Sequence, residues 1–123
     1  MNKRELELYI HIPFCARKCS YCDFLSFAAP ERTYREYMDK LIEEICGQGP
    51  NFQEYRVSTI FVGGGTPSIL PPDLIMELFA TLSENFDISP DAEVTMEANP
   101  GTLTMEKLEV YRQSGVNRLS IGL

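Results

Sequence analysis

Cys15, Cys19 and Cys22 form a C-x3-C-x2-C run inside one short segment. Cubane iron–sulfur clusters are held by cysteine thiolates, normally four of them. Three thiolates leave one iron without a protein ligand, and that open corner can chelate a small molecule. A zinc site is the competing reading, with His11 as a fourth ligand. Tetrahedral zinc favours two separated pairs of ligands, which three closely set cysteines match poorly. Disulfides are disfavoured in a reducing compartment, and one loop cysteine would stay unpaired unless Cys46 joined it. Cys46 stands alone on a helix, where a cysteine is usually a small buried apolar residue; it is expected to be structural.

Two further motifs could touch a ligand. Gly63-Gly64-Gly65-Thr66-Pro67 directly follows a strand. Glycine backbone turns tightly and approaches a ligand closely, and its exposed N–H groups suit a carboxylate or phosphate. A phosphate loop would continue Gly-Lys-Ser/Thr, and Thr66-Pro67 stands there instead. Glu97 precedes Asn99-Pro100-Gly101, so its carboxylate either accepts hydrogen bonds from a ligand or is a solvated edge charge. Tyr9 and His11, two apart on a strand, point to one face. They are either ligand contacts or a half-buried aromatic pair.

The elements carrying these motifs alternate. Leu6 to Pro13 reads as a strand, followed by a cysteine-rich loop from Phe14 to about Ala29. Tyr34, Met38, Leu41, Ile42 and Ile45 form a one-sided helical stripe after Pro30, stopped by Gly47 and Gly49-Pro50. Val57 to Val62 is a second strand, and Pro71-Pro72-Asp73 opens a second helix. Glu93 to Ala98 is a third strand, Thr104 to Ser114 a third helix with Glu106 in its first turn, and Asn117 to Ile121 a fourth strand. Such alternation predicts an α/β fold of parallel βαβ units, with chemistry at the carboxyl ends of the strands. The cysteine loop, the glycine run and Glu97 all fall at those ends. Four strands with three helices can neither close a barrel nor leave the last strand comfortably uncovered, so residues 1–123 read as a fragment of a longer protein.

Composition narrows the partners. Lys and Arg number 11 against 18 Asp and Glu, a formal net charge of -7. That balance argues against nucleic acid and against an anionic membrane. Glu31, Glu36, Glu43 and Glu44 read as a solvated helix face. No apolar run approaches the roughly 20 residues of a spanning helix, and no signal-peptide core is visible. The expected compartment is the cytoplasm.

Taken together, Leu8-Tyr9-Ile10-His11-Ile12-Pro13-Phe14-Cys15, Cys19, Tyr21-Cys22-Asp23-Phe24, Thr59-Ile60-Phe61-Val62-Gly63-Gly64-Gly65-Thr66-Pro67-Ser68, Glu97-Ala98-Asn99-Pro100-Gly101 and Gly115-Val116-Asn117-Arg118-Leu119-Ser120-Ile121-Gly122 resemble the oxygen-independent coproporphyrinogen III oxidase family of radical S-adenosylmethionine (SAM) proteins. The resemblance runs through nearly the whole chain. It implies an open, partial (β/α)6 TIM barrel, with the barrel remainder and a carboxyl-terminal region beyond this chain. It also implies a [4Fe-4S] cluster on Cys15, Cys19 and Cys22, whose vacant iron binds SAM and cleaves it to a 5'-deoxyadenosyl radical.

By the same likeness Tyr9, Gly64, Gly65, Thr66 and Glu97 would contact SAM, His11 would lie beside the cluster, and Tyr21 would match an aromatic position tied to a second SAM. The dehydrogenase branch of the family carries a further cysteine where this chain has Phe24, which favours the HemW-like haem-chaperone branch. The implied partners are SAM, haem or a porphyrinogen, a recipient haemoprotein and an electron donor. The alternatives are a coproporphyrinogen III dehydrogenase making protoporphyrinogen IX, or a small structural zinc protein.

Overall fold

The computed structural model describes residues 3–15 and 31–122. Cys19, Tyr21, Cys22 and Phe24 lie outside the described residues. Four strands, β1 (Arg4–Ile12), β2 (Tyr55–Gly64), β3 (Asp87–Ala98) and β4 (Arg118–Ile121), form one parallel sheet in the order β1-β2-β3-β4. Helices α1 (Glu31–Gln48), α2 (Pro72–Asn85) and α3 (Met105–Ser114) connect them in turn. This is the α/β architecture of successive βαβ units that the alternating pattern predicts.

The faces follow from side-chain alternation. Ile10 and Ile12 of β1, Ile60 and Val62 of β2, and Val94 and Met96 of β3 point into a core shared with the helices. From the helices come Tyr34, Met38 and Ile45 of α1, Leu74, Ile75, Leu78 and Leu82 of α2, and Tyr111 of α3. The helical stripe read from the sequence is therefore the buried one, with Leu41 and Ile42 packed at its margin. Burying each such side chain contributes about 1.5–3 kcal/mol. The opposite sheet face carries Tyr9, His11, Phe61, Glu93 and Glu97, and the helices of the described residues pack on the other face.

Local signals set the helix ends. Pro71 and Pro72 open α2, with the Pro71 carbonyl accepting from Leu74 N at 3.1 Å. The Thr104 hydroxyl caps α3 by accepting from Lys107 N at 3.1 Å. Gly115, at φ +106°, ends α3 in the left-handed conformation. Asn117 then clips β4 to β3: its Oδ1 accepts from Val94 N and its Nδ2 donates to the Ala92 carbonyl, both at 2.9 Å.

Beyond shifts of a residue or two at element ends, among them Gly63 and Gly64 falling inside β2, two features differ from the sequence reading. β3 begins at Asp87, ahead of the expected Glu93, because Asp87 and Ile88 pair with Arg56 and Val57. Pairing then lapses: β2 offers only Ser58 where β3 runs through Ser89, Pro90, Asp91 and Ala92, and it resumes at Thr59 opposite Glu93. Pro90 has no N–H to give a ladder, which suits this interruption. Short 3-10 turns at Pro67–Ile69 and Pro100–Thr102 also follow the carboxyl ends of β2 and β3. Among the described residues, no helix is long and apolar enough to cross a membrane.

Candidate functional site

The end of β1 is anchored before its cysteine. Phe14 is buried against the rings of Tyr34 and Tyr37, at centroid distances of 4.8 and 5.4 Å. The Tyr37 hydroxyl donates to the His11 carbonyl. Cys15 follows, buried at the end of this segment. The glycine run is laced directly onto this segment: Gly65 N donates to the Ile12 carbonyl at 2.8 Å and Thr66 N to the Phe14 carbonyl at 2.6 Å.

That lacing is only feasible without side chains. A Cβ on Gly65 would lie 2.5 Å from the Phe14 carbonyl oxygen and 3.1 Å from Cys15 Sγ. At Gly64, φ is +119°, and a Cβ would meet the Ile12 carbonyl oxygen at 2.7 Å and the His11 ring at 2.8 Å. The glycine loop therefore brings bare backbone beside the first cysteine and the histidine. Glu97 reaches the same loop from β3, its Oε1 accepting from Gly64 N at 2.9 Å. A Cβ on Gly63 would sit 2.5 Å from that carboxylate oxygen.

Tyr9 and His11 share the helix-free face of β1, as their spacing predicts. Tyr9 Oη and His11 Nδ1 are hydrogen-bonded at 3.2 Å, and the Tyr9 ring stacks on Phe61 at 6.0 Å. Partial burial and then the negative charge of Glu97 push the Tyr9 phenol above its ordinary pKa. Tyr9 therefore stays a neutral hydroxyl. His11 Nε2 is buried with no hydrogen-bond partner among the described residues. An orphaned ring nitrogen is costly to bury, and here it belongs to a ring packed against the Gly64 backbone.

Tyr9, His11, Cys15, Gly64, Gly65, Thr66 and Glu97 are thus gathered at the carboxyl edge of β1, β2 and β3. Tyr21, Cys19 and Cys22 lie outside the described residues, and among those described no three His, Cys, Asp or Glu side chains gather closely enough to hold a metal. The backbone cradle, the buried thiol and the unpartnered imidazole nitrogen nevertheless fit a cluster-bound ligand with polar groups. Cys46 requires a correction: it is exposed, with Asn85 Nδ2 donating to its Sγ at 3.7 Å. One residue past the buried Ile45, it is turned about 100° off the apolar stripe.

Sequence reasoning missed Ser68, Lys107 and Tyr37, whose bonds hold the loops from behind. A lysine in the first turn of α3, where a negative charge is favoured, is a local anomaly that could have drawn notice.

A profile of the Radical SAM superfamily matches residues 9–123. The chain is 43% identical over 119 residues to the heme chaperone HemW of Escherichia coli (strain K12), a match covering 96% of this chain and 32% of that protein. It is 37% identical to the oxygen-independent coproporphyrinogen III oxidase of Salmonella typhimurium, covering 98% of this chain and 27% of the relative. The solved coproporphyrinogen III oxidase (HemN) from Escherichia coli, described as a radical SAM enzyme, superposes with a TM-score of 0.91 at 35% identity, over 98% of this chain and 28% of that one. The chain spans about a third of the length of the curated relatives it matches.

Proposed function

The chain belongs to the radical SAM superfamily, and from that membership we propose that Cys15, Cys19 and Cys22 hold a [4Fe-4S] cluster in a haem chaperone of the HemW type. The observation that carries the cofactor reading is the contact of three elements at one edge. Bare glycine backbone lies against Cys15, and Glu97 is hydrogen-bonded to that same backbone. When bound, the cluster supplies the electron that cleaves SAM.

The chain's own residues do the rest. Gly64, Gly65 and Thr66 offer a surface on which the methionyl end of SAM can lie without a side chain in the way. Glu97 presents a carboxylate, acceptor-only when ionised, to an ammonium or a ribose hydroxyl. Tyr9 stays protonated and can donate, and its hydrogen bond orients the His11 ring. Tyr21 would contribute an aromatic face. We place the protein in the reducing cytoplasm, with haem, a recipient haemoprotein and an electron donor as partners of the full-length molecule.

Phe24 supports the chaperone over the dehydrogenase, because the dehydrogenase branch has a cysteine there. The full-length protein, incubated anaerobically with SAM, a reductant and coproporphyrinogen III, is expected to form no vinyl product while binding haem with a Soret shift. Accumulation of protoporphyrinogen IX would overturn the chaperone reading. After anaerobic reconstitution, Cys19→Ala should lose cluster iron and sulfide and Cys46→Ala should retain both. Equal loss in the two variants, or zinc without sulfide in the wild type, would refute the cluster assignment.

A further inference from the structure

Two turns follow the groups assigned to the ligand: Pro67–Ile69, immediately after Gly64, Gly65 and Thr66, and Pro100–Thr102, immediately after Glu97-Ala98-Asn99. Behind them sits a polar knot. Ser68 is fully buried, and its Oγ accepts from Asn99 N at 3.0 Å while sharing a short hydrogen bond with Thr102 Oγ1. Thr102 Oγ1 in turn donates to the Asn99 carbonyl at 2.9 Å. Lys107 Nζ donates to the Ser68 carbonyl at 2.6 Å and to the Thr102 carbonyl at 2.8 Å. One ammonium therefore spans both turns.

Lys107 is an unexpected residue for its place. It lies in the first turn of α3, where the helix dipole disfavours a positive charge. Burial further lowers its pKa from 10.5. Both partners are neutral carbonyls, and among the described residues no ion pair compensates for these penalties. A side chain held against two local preferences has its reward in what it joins. What it joins is the backbone after Thr66 to the backbone after Glu97, the two segments that the Gly64 N to Glu97 bond also links.

We propose that Lys107 and Ser68 are positioning residues that fix the glycine loop against the Glu97 turn, and so set the spacing of the backbone and carboxylate groups that receive SAM. This rests on the cofactor reading above. Hydrogen exchange and cofactor affinity test it together in the full-length, anaerobically reconstituted protein. Lys107→Met is expected to speed amide exchange over residues 64–69 and 99–103 by tenfold or more, with α1 amides unchanged. Iron and sulfide content should equal wild type. The SAM dissociation constant, read from the change SAM causes in the electron paramagnetic resonance of the reduced cluster, should rise ten- to a hundredfold. Lys107→Arg should recover part of that loss, and Ser68→Ala should reproduce it in milder form should the methionine variant fail to fold. Exposed Lys40, exchanged for Met, should change neither quantity.

Unchanged exchange in the two turns, or a SAM dissociation constant within twofold of wild type in both Lys107→Met and Ser68→Ala, would overturn the proposal. A wild-type cluster that ignores SAM would instead sink the cofactor reading. Amide exchange would then decide the clamp alone, with unchanged rates overturning it.

Discussion

The two ends of the sheet obey different tolerances. Toward the amino ends of the strands, register breaks between Leu6 and Glu7 of β1 and again between Val57 and Thr59 of β2, where one residue faces four. From Thr59 onward the pairing runs unbroken, to Gly64 against β1 and to Val62 against β3. At the carboxyl edge, three successive glycines each have another residue's atoms within 2.8 Å of where a Cβ would stand. An irregular ladder costs a few hydrogen bonds that water can replace. A side chain between backbones already in contact has no such substitute. At the amino ends a comparable contact is made at Gly49, where a Cβ would lie 2.8 Å from the Asn85 carbonyl oxygen; at the carboxyl edge such contacts fall on three consecutive residues, where Cys15, the glycines and Glu97 converge.

Gly64→Ala tests that contrast with the largest expected effect. It combines a left-handed backbone with contacts under 3 Å to the Ile12 carbonyl and the His11 ring. We expect a loss of about 2–4 kcal/mol in urea unfolding, together with release of the Gly65 and Thr66 amides into fast exchange. A loss near zero would mean that the carboxyl edge is as forgiving as the amino half, and the comparison would fail.

Thr104→Ala is a smaller probe of the same edge. The hydroxyl caps α3 through Lys107 N, so removing it should cost about 1 kcal/mol. Because Lys107 hangs from that first turn, the variant should also quicken exchange at Gly101 and Thr102 more than at the carboxyl end of α3. Uniform quickening along α3 would indicate a cap that steadies the helix without steadying the site.

How much of this was readable in the chain divides along the same line. The strands, the helices and the buried stripe of α1 follow from periodicity, because one-sided burial leaves a regular trace. Tyr9 and His11 fell on one face for the same reason, and Glu97 and the glycines fell at strand ends because the motifs directly follow apolar runs. The interruption at Ser89–Ala92 left only Pro90 as a hint, since a proline reports a missing donor but not how many residues oppose Ser58. The Lys107 and Ser68 knot left less, because it depends on two turns meeting across 34 residues of sequence. Cys46 was misread because its type suggested burial, whereas its helical phase beside Ile45 dictates exposure.

The smallest effect belongs to the amino half, where side chains at the surface do the joining. Asp87 Oδ2 lies 3.1 Å from Lys3 Nζ and 3.4 Å from Arg56 Nε, tying the start of β3 to β2 and to the residue before β1. The hydrogen bond from Lys3, then its charge and that of Arg56, hold the carboxyl below its ordinary value of 3.8. A carboxyl depressed in the folded state adds stability above its unfolded pKa and loses it as pH falls through the folded one. Asp87→Asn should therefore melt slightly below wild type at pH 7, by no more than about 2 °C, as exposed ion pairs contribute little. The two curves should converge as pH drops below 3.8 and also in about 1 M salt, where screening acts within roughly 3 Å. A difference that survives both conditions would mean that Asp87 acts through backbone order. The amino half would then be held as strictly as the glycine edge.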